Sequence, residues 1–182
     1  MKESVSYRFT NTQVKYFFDA KFSSLSKLSG KDRTVLITDD NIYRNHIAKF
    51  RGWNTIVLKP GEEFKVQATV DSIVDQLIAF QADRQFTLVG VGGGVVTDLT
   101  GYVSSVYMRG ISFGFIPTSL LAMVDASIGG RNGIDVGPYK SELINAGSAY
   151  WAATGPGAHV VCTGKEQAGN VAAALNGAYL VG

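Results

Sequence analysis

Four short apolar runs punctuate the chain: Arg33–Thr38, Thr55–Leu58, Phe86–Val91 and Ile111–Ile116. Each is too short for a helix and ends abruptly, at Asp39-Asp40-Asn41, Lys59-Pro60-Gly61, Gly92-Gly93-Gly94 and Pro117 respectively. Runs bounded in this way are buried strands entering turns. Between the second and third runs, Val66, Val70, Ile73, Val74, Leu77 and Ile78 step at helical spacing, with Asp71 and Asp75 on the outer face. Between the third and fourth, Val95, Val96, Leu99, Val103 and Val106 do the same. A helix over Ile42–Phe50 follows the first strand, and Thr118 or Ser119 caps another through Leu120, Leu121 and Val124. Strands alternating with helices build βαβ units, hence an α/β fold with a parallel sheet and flanking helices. Upstream, Val5, Tyr7 and Phe9 alternate, as do Val14, Tyr16 and Phe18, which adds an N-terminal β-hairpin. Ligands of such sheets bind at the carboxyl ends of the strands, so functional residues belong just after Thr38, Leu58, Val91 and Ile116.

Composition narrows the function. A formal net charge of +2 is too mild for a nucleic-acid binder. No apolar run approaches the ~18–20 residues of a membrane span, and no apolar segment after Met1 reads as a signal peptide. The single cysteine, Cys162, rules out an internal disulfide and a Cys-based zinc site. His46 and His159 lie in unlike contexts, far apart, which argues against a His-rich metal site. A cytoplasmic location is expected. From Gly147 to Gly182, 36 residues hold 7 Gly, 9 Ala and only two charges, Lys165 and Glu166. The expected organisation is therefore a domain over 1–146 and a Gly/Ala-rich tail over 147–182.

Several residues could carry chemistry. Gly92-Gly93-Gly94 follows a strand and opens a helix, where backbone N–H groups can approach a phosphate; the alternative is a tight turn without a ligand. Asp98, one turn into that helix, either caps orphan N–H groups or accepts a hydrogen bond from a ribose or sugar hydroxyl. Asp39 and Asn41 are turn formers or ribose ligands. Glu62 and Lys65 bind a ligand or favour a helix start. Arg109 either stabilises a helix C-terminus or offers a guanidinium fork to phosphate or carboxylate. Asp125 and Arg131 flank Ala126-Ser127-Ile128-Gly129-Gly130, an acid and a base around a glycine pair, or form a surface ion pair.

These motifs resemble the 3-dehydroquinate synthase family of sugar-phosphate cyclases. The resemblance runs from about Thr34 to Lys140 and rests on four stretches in register: Gly92 to Gly101, Tyr107 to Gly110, Pro117 to Ala122, and Val124 to Gly130. It implies a Rossmann-like NAD-binding domain followed by a mostly helical domain that carries zinc or a similar divalent metal. By position, Asp39, Asn41, Glu62, Lys65, Gly93, Gly94, Val95, Asp98, Thr118, Ser119 and Lys140 would contact NAD. Asp125 would lie at the nicotinamide and substrate side, with Arg131 beside it. Arg109 would reach substrate phosphate, in a neighbouring subunit of a homodimer. The implied reaction converts a seven-carbon sugar-acid phosphate into a carbocycle with loss of phosphate, in the shikimate pathway to aromatic amino acids. Other sugar-phosphate cyclases, an NAD-dependent polyol dehydrogenase, and a non-catalytic nucleotide-binding fragment are the alternatives.

Three departures qualify the resemblance. Arg131 stands where the family has lysine; it keeps the charge but cannot usefully give up a proton. Ser141-Glu142-Leu143-Ile144-Asn145 follows Lys140 in place of the family's Asn-Leu-Ile-Gly. Beyond Gly147 nothing resembles the helical metal-binding domain, and His159 and Glu166 cannot supply its glutamate and two histidines, so no metal ligand is assigned. The expectation is a chain that holds NAD and does not turn over by itself.

Overall fold

In the computed structural model of the chain, residues 3–8, 13–18, 20–127, 132–136 and 158–161 are described. The strands are β1 (Glu3–Arg8), β2 (Gln13–Phe18), β3 (Thr34–Asp39), β4 (Asn54–Leu58), β5 (Thr87–Gly92), β6 (Ser112–Pro117) and β7 (Ala158–Val161). They form one sheet in the order β1-β2-β7-β6-β5-β3-β4. Only the β1–β2 hairpin is antiparallel; every other pairing is parallel. The helices are α1 (Leu25–Leu28), α2 (Asp40–Asn45), α3 (Ile47–Phe50), α4 (Gln67–Ala79) and α5 (Gly94–Val106).

β3 shows why a continuous apolar run was needed. It pairs with β4 and β5, and Val35, Leu36 and Ile37 are wholly buried because both faces of the sheet are covered. One core packs α4 and α5 on one face through Val70, Ile73, Leu77, Leu99 and Val103. A smaller one on the other face joins Leu36, Val89, Val91 and Ile116 to Leu25 and Phe50. The chain steps from β3 to β4 in one direction and crosses back to β5, so the sheet's switch point lies between β3 and β5.

The segment expected as one helix over Ile42–Phe50 is two short helices, α2 and α3, parted at His46 (φ −134°, ψ 26°). The Asn45 side-chain amide donates to the Asn41 carbonyl (2.9 Å) and competes with continuation of the ladder. The turn after β6 also departs from an ordinary helix. Ala122–Ala126 winds as a π-helix, in which the Ser127 N–H donates to the Ala122 carbonyl (2.9 Å). β7 lies inside the charge-poor stretch, yet its backbone pairs with β2 and β6 and completes the sheet. Among the described residues, no helix is long and apolar enough to cross a membrane.

α5 is buried on nearly all sides and therefore must satisfy its own hydroxyls. Thr100 Oγ1 donates to the Val96 carbonyl and Ser104 Oγ to the Thr100 carbonyl, both at 2.7 Å. Gly101 lets buried Asn132 press against the helix. A Cβ at Gly101 would lie 2.2 Å from Asn132 Cγ. Gly→Ala inside a helix ordinarily stabilises by about 1 kcal/mol. Here Gly101→Ala is expected to destabilise by about 1–3 kcal/mol, the cost of overpacking. Urea unfolding reads the sign directly, and a raised midpoint would contradict this packing.

Candidate functional site

The strand register brings the turn residues to one edge. Asp39 pairs with Leu58, Thr38 with Val91, and Gly92 with Pro117, so four loops leave the sheet side by side. The Thr118 N–H donates to the Gly92 carbonyl (2.9 Å) and binds the last two of them together.

The glycines of this edge are not equivalent. A Cβ on Gly92 would sit 2.6 Å from Val96 Cγ2, so packing alone demands that glycine. On Gly93 the nearest atom would be Ser119 Oγ at 3.4 Å, and on Gly94 it would be Ala126 Cβ at 4.0 Å. These are ordinary contacts, and nothing in the described protein fills the space those side chains leave. Gly93 is the residue before α5; among the described residues no side chain caps this helix start, and its first turn carries no acid. The N–H groups of Gly94, Val95 and Val96 thus face an open cradle with the positive end of a helix behind it.

Beside the cradle lies an ionic cluster built by three distant segments. Lys65, from the loop after β4, is buried; its ammonium contacts Glu62 and lies 3.5 Å from Asp98 Oδ2 and 3.8 Å from Asp135 Oδ1. The Asp135 N–H donates to the Lys65 carbonyl (2.7 Å), which pins residues 132–136 to the site. Burial lowers the Lys65 pKa, but the Glu62 hydrogen bond and the charges of Asp98, Glu62 and Asp135 overcome it and leave it raised. Asp98 is pushed up to about 6, chiefly by burial; Lys65 opposes the rise, while Glu62 and Asp125 add to it. Glu62 and Asp125 themselves stay exposed.

The other expected residues fall into distinct places. Asp39 caps α2, its carboxylate accepting from the Ile42 N–H (3.0 Å), and Asn41 is exposed on that helix. Ser119 Oγ accepts from the Ala122 N–H (3.3 Å), and Thr118 is exposed at the edge. Arg109 is not brought to this edge at all. α5 begins at the cradle and runs 13 residues, about 20 Å at 1.5 Å per residue, before reaching the Tyr107–Arg109 turn. There Met108 (φ 49°) and Arg109 (φ 67°) both hold left-handed backbone, a strained corner that leaves Arg109 exposed at the opposite pole. Arg131, Lys140 and the stretch after it, Cys162 and Glu166 lie outside the described residues, as does the His159 side chain.

Sequence reasoning missed three residues here: Asp135, Ser127 and Asn132. Asp135 carries no local signal, because its contact with Lys65 is made only by tertiary pairing. Ser127 Oγ and Asn132 Oδ1 are buried with no hydrogen-bond partner among the described residues. No group of three His, Cys, Asp or Glu side chains suited to a metal exists among the described residues.

Comparison with known proteins identifies relatives of the chain. Residues 55–151 match the model of the 3-dehydroquinate synthase N-terminal domain. The 3-dehydroquinate synthase of Campylobacter curvus is 39% identical over 129 residues, 68% of this chain and 37% of the relative. That of Pyrococcus abyssi is 52% identical over 80 residues, 44% of this chain and 24% of the relative. The chain thus spans well under half the length of these curated relatives. Among solved structures, 2-deoxy-scyllo-inosose synthase superposes with a TM-score of 0.71 at 22% identity, covering 88% of this chain and 46% of that one. The 2-epi-5-epi-valiolone synthase of Streptomyces hygroscopicus, solved with NAD+ and Zn2+ bound, gives 0.68 at 24%, covering 90% and 44%. The shared fold, the motifs at its carboxyl edge and the matched residues place this chain in the 3-dehydroquinate synthase family.

Proposed function

We propose that this chain is the NAD-binding part of a 3-dehydroquinate synthase, a carbon–oxygen lyase of the cytoplasm that acts on a seven-carbon sugar-acid phosphate. The observation that carries the reading is the open cradle at Gly93 and Gly94, with uncapped N–H groups behind it and Asp98 and Lys65 beside it. The cradle fits a pyrophosphate. Gly93, Gly94 and Val95 would hold the phosphates, Asp98 a ribose hydroxyl, and Asp39 and Asn41 the adenosine ribose. Glu62, Lys65, Thr118, Ser119 and Lys140 complete the proposed contact set. Bound NAD would supply reversible oxidation of a ring hydroxyl, which acidifies the neighbouring C–H.

This chain's own residues orient and polarise. Lys65 keeps Asp98 placed, and Asp125, carried on the π-helix, would face the reacting end. Arg131, by the family resemblance, would supply a fixed positive charge and no proton transfer. Arg109, a helix-length away, would serve the substrate phosphate of a second copy, in a homodimer. The described residues do not fit a divalent metal, so no step is assigned to one here. The chain alone is expected to hold NAD without turnover, because His159 and Glu166 are too few to complete the metal site that the resemblance implies. A phosphate-release assay with substrate, NAD and Zn2+ checks this: release at background is expected, and robust turnover by the 182-residue chain would overturn it.

A further inference from the structure

A second concavity lies on the sheet face opposite α4 and α5, and the proposed nucleotide contacts leave it unused except at Thr118. It encloses about 900 Å3, the size of a small-molecule site. Its floor is the carboxyl half of β5 and β6, through Val91 and Ile116, and its walls carry Phe22, Phe50 and Trp53. Around it stand Lys21, Lys31, His46, Lys49 and Arg51, and no Asp or Glu among the described lining residues. None of these five basic side chains makes an ion pair among the described residues. Lys31 instead places its ammonium 5.1 Å from the Trp53 ring centroid.

The asymmetry is chemical. In a chain of net charge +2, four permanent cations and a histidine converge on one aromatic-walled hollow with no compensating acid in its described lining. An apolar floor takes up a flat ring, and a cationic rim selects a negative group on it. We propose that this cavity binds an aromatic anion, a planar ring bearing a carboxylate, sulfonate or phosphate, independently of the glycine cradle.

The probe is 8-anilinonaphthalene-1-sulfonate, read by its fluorescence on the full chain, with uncharged N-phenyl-1-naphthylamine as control. The sulfonate is expected to bind at least tenfold more tightly than the uncharged ring. Lys49→Glu with Arg51→Glu is expected to abolish that preference, as is Lys21→Glu with Lys31→Glu, all four positions being exposed. Saturating NAD is expected to leave the sulfonate bound, and displacement by 1-naphthoate or by adenosine monophosphate tells whether the natural anion is a carboxylate or a phosphate. Equal binding of the two probes, binding indifferent to both charge reversals, displacement by NAD, or displacement by neither competitor would each overturn the proposal. Failure of NAD to bind would count against the cradle and leave this test intact.

Discussion

Replacing Lys65 with methionine is expected to destabilise the fold by about 3–5 kcal/mol near pH 8, the cost of removing one partner from a buried ion pair. Methionine keeps the buried stem, so the loss comes from charge. Without the ammonium, Asp98 and Asp135 face each other's segments with Glu62 near by and no cation at the centre. The Asp98 carboxyl would then rise further above its present value of about 6. The loss is consequently expected to shrink as pH falls towards 5, where that carboxyl takes up a proton. Adding Asp98→Asn to Lys65→Met should restore part of the stability at pH 8 and little at pH 5. Urea unfolding at the two pH values measures both effects; a pH-independent loss would show that packing, not charge, sets the role of Lys65.

Asp98→Asn on its own is expected to stabilise the protein at pH 8 and to weaken NAD binding. The Asp98 pKa is raised from 3.8 to about 6, so the folded state takes up a proton that the unfolded chain gives up. Stability from the protonated carboxyl is fully present below pH 3.8 and is lost as pH rises through about 6. Keeping the group ionised at pH 8 costs on the order of 3 kcal/mol, at 1.36 kcal/mol per pKa unit. Asparagine removes that cost but also takes one partner from Lys65, which keeps Glu62 and Asp135. A net gain of about 1–2 kcal/mol is expected. Below pH 4 the variant and parent should converge. In the proposed site the Asp98 carboxylate accepts a ribose hydroxyl, and a neutral amide accepts it more weakly. Asp98→Asn is accordingly expected to lose at least tenfold in NAD affinity while gaining in unfolding midpoint. A lower midpoint at pH 8 would contradict the burial assigned to Asp98.

Much of this arrangement was legible in the residues. The runs ending at Asp39, Lys59, Gly92 and Pro117 identified the strands because burial on both faces leaves no room for polar alternation. Their common carboxyl edge then followed from the βαβ rule, and Asp98 followed from its place one turn into α5. What stayed hidden depends on contacts between distant segments. Lys65 in isolation reads equally as a ligand or a helix start; its burial is decided by Asp98 and by Asp135, far along the chain. β7 is four residues, Ala158–Val161, in a charge-poor stretch, and only pairing with β2 and β6 makes it a strand. The break at His46 turns on a side-chain hydrogen bond from Asn45, and the π-helix at Ala122–Ala126 on one displaced backbone bond. Local propensity carries neither. The basic cavity is likewise invisible in sequence, since Lys21 and Arg51 become neighbours of one hollow only after β3, which lies between them, is laid into the sheet.

Calorimetric titration of the full chain with NAD, beside a Gly93→Val variant, tests the cradle most directly. Space at Gly93 is open to the protein, with the nearest side-chain atom 3.4 Å from a Cβ, so the variant should unfold at nearly the parent's urea midpoint. The parent is expected to bind one NAD per chain and the variant at least tenfold more weakly. Equal heats for both proteins, or no heat from the parent at millimolar NAD, would contradict a dinucleotide site at the Gly93-Gly94 turn.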